Sequence, residues 1–331
     1  MFIGHALLAF ALATLIADWR GWSARDALTL GIVAGSFAAI PDVDVAYAAI
    51  ALDVSRLTVE SATQPGVFWD ATRGVHRSIT HSLVVAMVAG PAFGLWAATW
   101  ERSPVLRAAG RIVAATVLTT LTAGAYIVSG PTGGIVVGTF VLAGLVVASL
   151  SRTKTPLSGR TVGLAATAGL LSHPWGDLVT GEPPRLFYPL DVQFLDGTVL
   201  LHGDPTVHLL GAFAIELTVF WFTAVTITRV TGRSWTTFLD RRAGIGILYG
   251  VTALVMTPPT LEVSYHFVFS IVAVGLACGG LVALSGSMPT VATLDRQILR
   301  SRSPLGIAFT SLGGVTTALI SYGTVYTLFA A

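Results

Sequence analysis

Long apolar runs recur along the whole chain, at about 2–17, 27–40, 82–100, 112–129, 131–150, 161–179, 206–228, 243–258, 264–286 and 304–330. About 20 apolar residues match the hydrocarbon thickness of a bilayer. Ten such runs in 331 residues predict an all-α, polytopic transmembrane helix bundle of about ten spans. Charge agrees, since 11% of residues are Asp, Glu, Lys or Arg, whereas soluble domains carry about 25%. The net charge of +2 excludes the strongly basic field of a nucleic-acid partner. A single cysteine, Cys278, excludes an internal disulfide and a cysteine-based metal cluster. The first run has no basic residue before it and carries His5, so it reads as a retained helix rather than a signal peptide.

Loop charge sets the expected orientation. Alternate loops, starting after the first run, hold 15 of the 19 basic residues, which by the positive-inside rule makes them cytoplasmic and places both termini outside. The seven histidines (His5, His76, His81, His173, His202, His208, His266) then fall on the outer loops or the outer ends of spans. Asp42, Asp44, Asp177 and Asp204 do the same. This is the pattern of one polar site at the extracytoplasmic rim of a multi-pass cell-membrane protein.

Four segments carry the candidate ligands: His5 in the opening run, Pro41-Asp42-Val43-Asp44 where the second run stops, His76-Arg77-Ser78-Ile79-Thr80-His81-Ser82 before the third, and His173-Pro174-Trp175-Gly176-Asp177 at the end of the sixth. His173 and Asp177 are four apart and share a face if helical, although Pro174 is expected to kink the backbone there. Asp42 and Asp44 share a side only if extended, and diverge in a helical turn. Imidazoles mixed with carboxylates suit Zn²⁺, Mn²⁺ or Fe²⁺ better than Mg²⁺ or Ca²⁺. Six or seven ligands exceed one tetrahedral shell, so one or two ions are expected. Such an ion acidifies water and polarises an electrophile, which points to hydrolysis. In that chemistry Arg77 is the candidate clamp for an anionic phosphate oxygen, and Asp44 the candidate to orient water or a ligating imidazole.

These blocks, with Leu171-Ser172-His173, Thr180-Gly181 and Leu186-Phe187-Tyr188-Pro189-Leu190, resemble the membrane-bound metal-dependent hydrolases. That family has a bacterial inner-membrane branch induced by DNA damage and an archaeal branch, and is distantly similar to zinc-dependent phospholipase C. The resemblance runs from residue 1 to about 190. It implies metal ligation by His5, Asp42, His76, His81, His173 and Asp177, and a phospholipase-like or related esterase or phosphodiesterase activity. Ser78 stands where the family usually has glycine.

The chain thus divides into an expected metal-site core, 1–205, and additional helices, 206–331, outside the compact form of the family. The expected function is hydrolysis of a lipid or lipid-linked ester or phosphodiester. Loops 52–75 and 180–205, with Phe68, Trp69, Phe187, Tyr188 and Phe194, are the candidate lid or docking surface. Two alternatives stand beside it. A transporter would use Glu216, near the middle of the seventh run, where an ionisable group is costly. A membrane scaffold would hold a structural metal in a closed ligand shell.

Overall fold

The computed structural model describes residues 2–47, 77–99, 103–190, 192, 195–284 and 303–330. His76, Phe68, Trp69, Phe194 and the loop 52–75 lie outside these described residues. Among those described the chain is helical and contains no strand. It forms two compact units, 1–198 and 199–331.

Unit 1 is built from α1 (Phe2–Trp19), α2 (Ala24–Ala39), α3 (Leu83–Ala97), α4 (Pro104–Lys154) and α5 (Gly159–Ser172). Short 3₁₀ segments follow α2 (Pro41–Tyr47), precede α3 (Ile79–His81) and follow α5 (His173–Val179). Local signals start the helices. The Ser23, Ser82, Ser103 and Ser158 hydroxyls each accept an N–H of the first turn, and Pro104 adds a fixed φ at the α4 start. Small residues then let the backbones close. A Cβ on Gly94 would lie 2.6 Å from Gly163 Cα, so α3 and α5 pack at a distance only glycine permits. Phe93 fills the middle, with its ring 5.5 Å from Phe37 and 6.2 Å from Phe140, and all three are fully buried.

Helix α4 is not straight. Gly130 adopts φ 68°, ψ −162°, which breaks the helix before Pro131 and folds it back on itself. Gly138 accordingly comes within 3.8 Å of the Thr122 methyl group, counted from an added Cβ. A straight helix would put those residues about 24 Å apart.

Unit 2 contains α6 (Pro205–Val230), a 3₁₀ segment Arg241–Leu254, α7 (Tyr265–Leu284) and α8 (Pro304–Phe329). Asp204 and Ser303 cap α6 and α8, each followed by proline. Its core joins Tyr249, Phe267, Ile271 and Tyr322, with the Phe267 and Tyr322 rings edge to face at 4.9 Å. Helices α6 and α8 run antiparallel, since Trp221 Nε1 donates to Thr316 Oγ1 (2.8 Å) and the Tyr326 hydroxyl donates to Asp204 Oδ2 (3.1 Å). Glu216 is half-buried on α6.

Among the described residues, length and apolarity qualify five helical stretches to cross a membrane: Ala24–Val45, Pro104–Lys154, Pro205–Val230, Tyr265–Leu284 and Pro304–Phe329. The expected count of about ten is therefore not reached. Ile3–Trp19 and Leu83–Ala97 are apolar but shorter. The expected run at 112–129 and that at 131–150 belong to one folded-back helix. The run at 161–179 ends as α-helix at Ser172, because Pro174 cannot continue the hydrogen-bond ladder, and the run at 243–258 is 3₁₀.

Candidate metal centre

The ends of α1, α2, α3 and α5 meet on one side of unit 1, and each delivers a polar side chain there. His5 comes from the first turns of α1. The 3₁₀ segment after α2 carries Asp42 and Asp44, the one before α3 carries His81, and the one after α5 carries His173 and Asp177. The ligand atoms of His5, Asp42 and His173 lie within 4.8 Å of one another, and so do those of His81, His173 and Asp177. His81 Nε2 is 3.3 Å from Asp177 Oδ2 and 3.7 Å from Asp42 Oδ1. His173 Nε2 is 3.5 Å from Asp42 Oδ1 and 3.7 Å from Asp177 Oδ2, and His5 Nε2 is 3.3 Å from Asp177 Oδ1. His5, Asp44, His81, His173 and Asp177 are buried, and Asp42 keeps 11% of its side chain exposed.

Hydrogen bonds on the far side of the two central rings fix their orientation. His173 Nδ1 lies 2.6 Å from the Ala38 carbonyl oxygen. A carbonyl only accepts, so Nδ1 carries the proton and the Nε2 lone pair faces the cluster. For His81, the Thr80 hydroxyl donates to Asp44 Oδ2 (2.9 Å) and sits 3.0 Å from His81 Nδ1. With its proton committed to Asp44, Thr80 Oγ1 accepts from Nδ1–H, and His81 Nε2 also turns its lone pair inward. Asp42 and Asp44 thus diverge in their 3₁₀ turn, as a helical turn dictates, and lie on opposite edges of the His81 ring. Asp44 belongs to neither ligand group and acts on His81 through Thr80.

Arg77 takes a different place from the phosphate clamp expected of it. Its Nη2 is 3.2 Å from Asp177 Oδ1 and donates to Thr180 Oγ1 (3.0 Å), while Nη1 donates to the backbone oxygens of Asp177 (3.3 Å) and Glu182 (3.1 Å). The fork is turned onto the protein and braces the segment that carries Asp177. Arg77 itself has φ 64°, a left-handed conformation that side chains seldom adopt. Its peptide is also tied down: its N–H donates to Asp44 Oδ2 (3.4 Å) and its carbonyl accepts from Arg185 N (3.1 Å). Ser82 Oγ donates to the Tyr188 carbonyl (2.7 Å), so the expected docking loop 180–205 is clipped at Tyr188 to the entrance of α3.

The donor set fits a cation. Three carboxylates, Asp42, Asp44 and Asp177, face one guanidinium, that of Arg77, so the carboxylates outnumber the fixed cations. Within the described residues, buried His173 Nε2, Asp42 Oδ2 and Asp177 Oδ2 have no hydrogen-bond partner, a cost that ligation removes. Burial alone would make His81 less basic, yet Asp177, Asp42 and Asp44 outweigh it and raise its pKa to about 9. The pocket calls for positive charge.

Thr80, Thr180 and the Ala38 carbonyl are groups of the cluster beyond the candidates that the sequence offers. Thr80 stands inside the His-Arg-Ser-Ile-Thr-His-Ser block, where its place beside His81 was a usable signal. A backbone carbonyl leaves no trace in sequence.

Fold and cluster together define an all-helical membrane protein with a buried His/Asp site at the end of its N-terminal unit. The chain belongs to the YdjM inner membrane protein family, whose model matches residues 1–258. That match covers all of unit 1 and part of unit 2. No curated protein and no solved structure matches the chain.

Proposed function

We propose that this cluster holds a divalent cation and that the protein is a membrane-embedded metal-dependent hydrolase acting on an ester or phosphodiester of a lipid or lipid-linked substrate. The observation that carries the reading is the pair of imidazoles, His81 and His173, each held through Nδ1 so that Nε2 faces Asp42 and Asp177. His173 belongs to both ligand groups but has only Nε2 to offer, which supports one ion at the shared position, with Zn²⁺ first and Mn²⁺ or Fe²⁺ as alternatives. Bound there, the ion supplies Lewis acidity toward a phosphoryl or acyl oxygen and acidifies water. The chain's own residues do the positioning: Asp44 and Thr80 hold His81, Ala38 holds His173, and Arg77 braces Asp177. Asp42 is the ligand candidate that reaches furthest toward the exterior. In this reading the site faces the extracytoplasmic side, with both termini outside, and His76 adds a further ligand.

The deep burial of His81, His173 and Asp177 favours a second reading, a structural cation in a closed shell. One experiment separates the two. Metal content by mass spectrometry and turnover of a panel of phospholipids and lipid esters are measured for the wild type and His173→Ala. A hydrolase loses metal and turnover in the variant. A scaffold binds metal and turns over nothing in either form, and wild-type protein with less than one tightly bound ion per chain overturns both.

A further inference from the structure

At the opposite end of α3 from the His/Asp cluster lies a second polar assembly. Helix α3 has 15 residues, which separates its ends by about 22 Å. Trp96, in its last turn, donates from Nε1 to Ser149 Oγ (2.9 Å) on the second arm of α4. The guanidinium carbon of Arg111, on the first arm, sits 5.9 Å from the centre of the same indole ring. Arg107 is one helical turn from Arg111, and Arg152 one turn from Ser149. The fold-back at Gly130 brings these turns together, because its antiparallel register, visible at Thr122 and Gly138, continues down to Arg111 and Ser149.

Arg111 therefore meets the Trp96 indole, and Arg107 and Arg152 stand one helical turn from Arg111 and Ser149, the indole's two partners on α4. Among the described residues Arg107, Arg111 and Arg152 have no carboxylate partner, and the Nε atoms of Arg111 and Arg152 are buried without an acceptor. Arg77, by contrast, is a guanidinium answered by a carboxylate, a hydroxyl and two carbonyls. Buried N–H donors of this kind need an acceptor, and a planar cation fork matches phosphate oxygens. An indole beside them suits the headgroup level of a bilayer, where tryptophan concentrates.

From this geometry we infer that Arg107, Arg111 and Arg152, with Trp96 as their platform, form a binding site for the phosphate of an anionic phospholipid at the membrane face opposite the His/Asp cluster. The lipid tails would remain in the hydrocarbon beside the two arms of α4. The ligand is a membrane lipid rather than free phosphate, because the site sits on helices whose outward faces are apolar, as at the exposed Ile112 and Leu150.

The test uses the full chain in detergent, titrated with phosphatidylglycerol or phosphatidylcholine and read by native mass spectrometry. The wild type should retain phosphatidylglycerol in preference to phosphatidylcholine. Each guanidinium near a lipid phosphate contributes about fivefold, so Arg111→Gln should weaken retention about fivefold and Arg111→Gln/Arg152→Gln about 25-fold. Arg25→Gln, outside the assembly, should leave it unchanged. An unaltered melting temperature shows that each variant is folded. If the double variant does not fold, Arg107→Gln carries the test with an expected loss of about fivefold. Equal retention by wild type and variants overturns the site. So does equal binding of the two lipids, and displacement of phosphatidylglycerol by millimolar inorganic phosphate would assign the site to a free anion instead.

Discussion

Replacing Thr80 with valine keeps the shape of a buried side chain and removes one oxygen. That oxygen makes two contacts, donating to Asp44 Oδ2 at 2.9 Å and accepting at 3.0 Å from His81 Nδ1. Without it Asp44 loses a hydrogen bond in a buried place, and the His81 ring loses the contact that selects its tautomer. Removing a partner behind a ligating histidine typically weakens metal binding about 10- to 100-fold, equivalent to about 1.4–2.8 kcal/mol. The assay is Zn²⁺ affinity of the purified protein by competition with a chromophoric chelator, paired with the same titration of Asp44→Asn. Both variants should weaken binding within that range while the helix content stays as in the wild type. A Thr80→Val affinity within about threefold of wild type, which is below 1 kcal/mol, would refute the claim that Thr80 links Asp44 to His81.

Three other outcomes are expected. Arg77→Lys keeps the charge but cannot span Asp177, Thr180 and two carbonyls with one ammonium, so thermal stability should fall by about 1–2 kcal/mol; an unchanged melting temperature would show that the brace is dispensable. Gly94→Val drives a side chain into Gly163 and the Gly159 carbonyl and should cost about 1–3 kcal/mol, whereas Gly124→Ala, with open space around it, should melt like the wild type. Removing metal with a chelator should lower the melting temperature, and restoring Zn²⁺ to about 100 times its Kd should recover about 2.7 kcal/mol; identical melting in both states would speak against a cation in the cluster.

Much of the site was legible in the order of residues because its donors sit where apolar runs stop. Asp42, His81, His173 and Asp177 each lie at a helix boundary marked by proline or serine, and polar groups next to a run have few places to go except its end. Sequence leaves open whether Asp42 and Asp44 share a side or diverge, and the 3₁₀ turn at Pro41–Tyr47 makes them diverge. The direction of Arg77 did not, since a guanidinium between two histidines looks the same in sequence whether it faces a ligand or the segment at Thr180. Span count failed for a related reason: apolarity measures compatibility with hydrocarbon, not the length of unbroken helix. Gly130 and Pro174 decide that length, and how the chain continues after each break is visible only in coordinates.

The cluster is stitched from residues as distant as His5 and Asp177. During synthesis, therefore, the early helices emerge holding imidazoles and carboxylates whose counterparts have not yet been made. The cluster can be completed only after the fifth helix has entered the bundle and Asp177 has followed it. A chain arrested before that point would keep an incomplete charge balance beside its first helices, with His5 and His81 lacking the Asp177 carboxylate that both face in the finished fold.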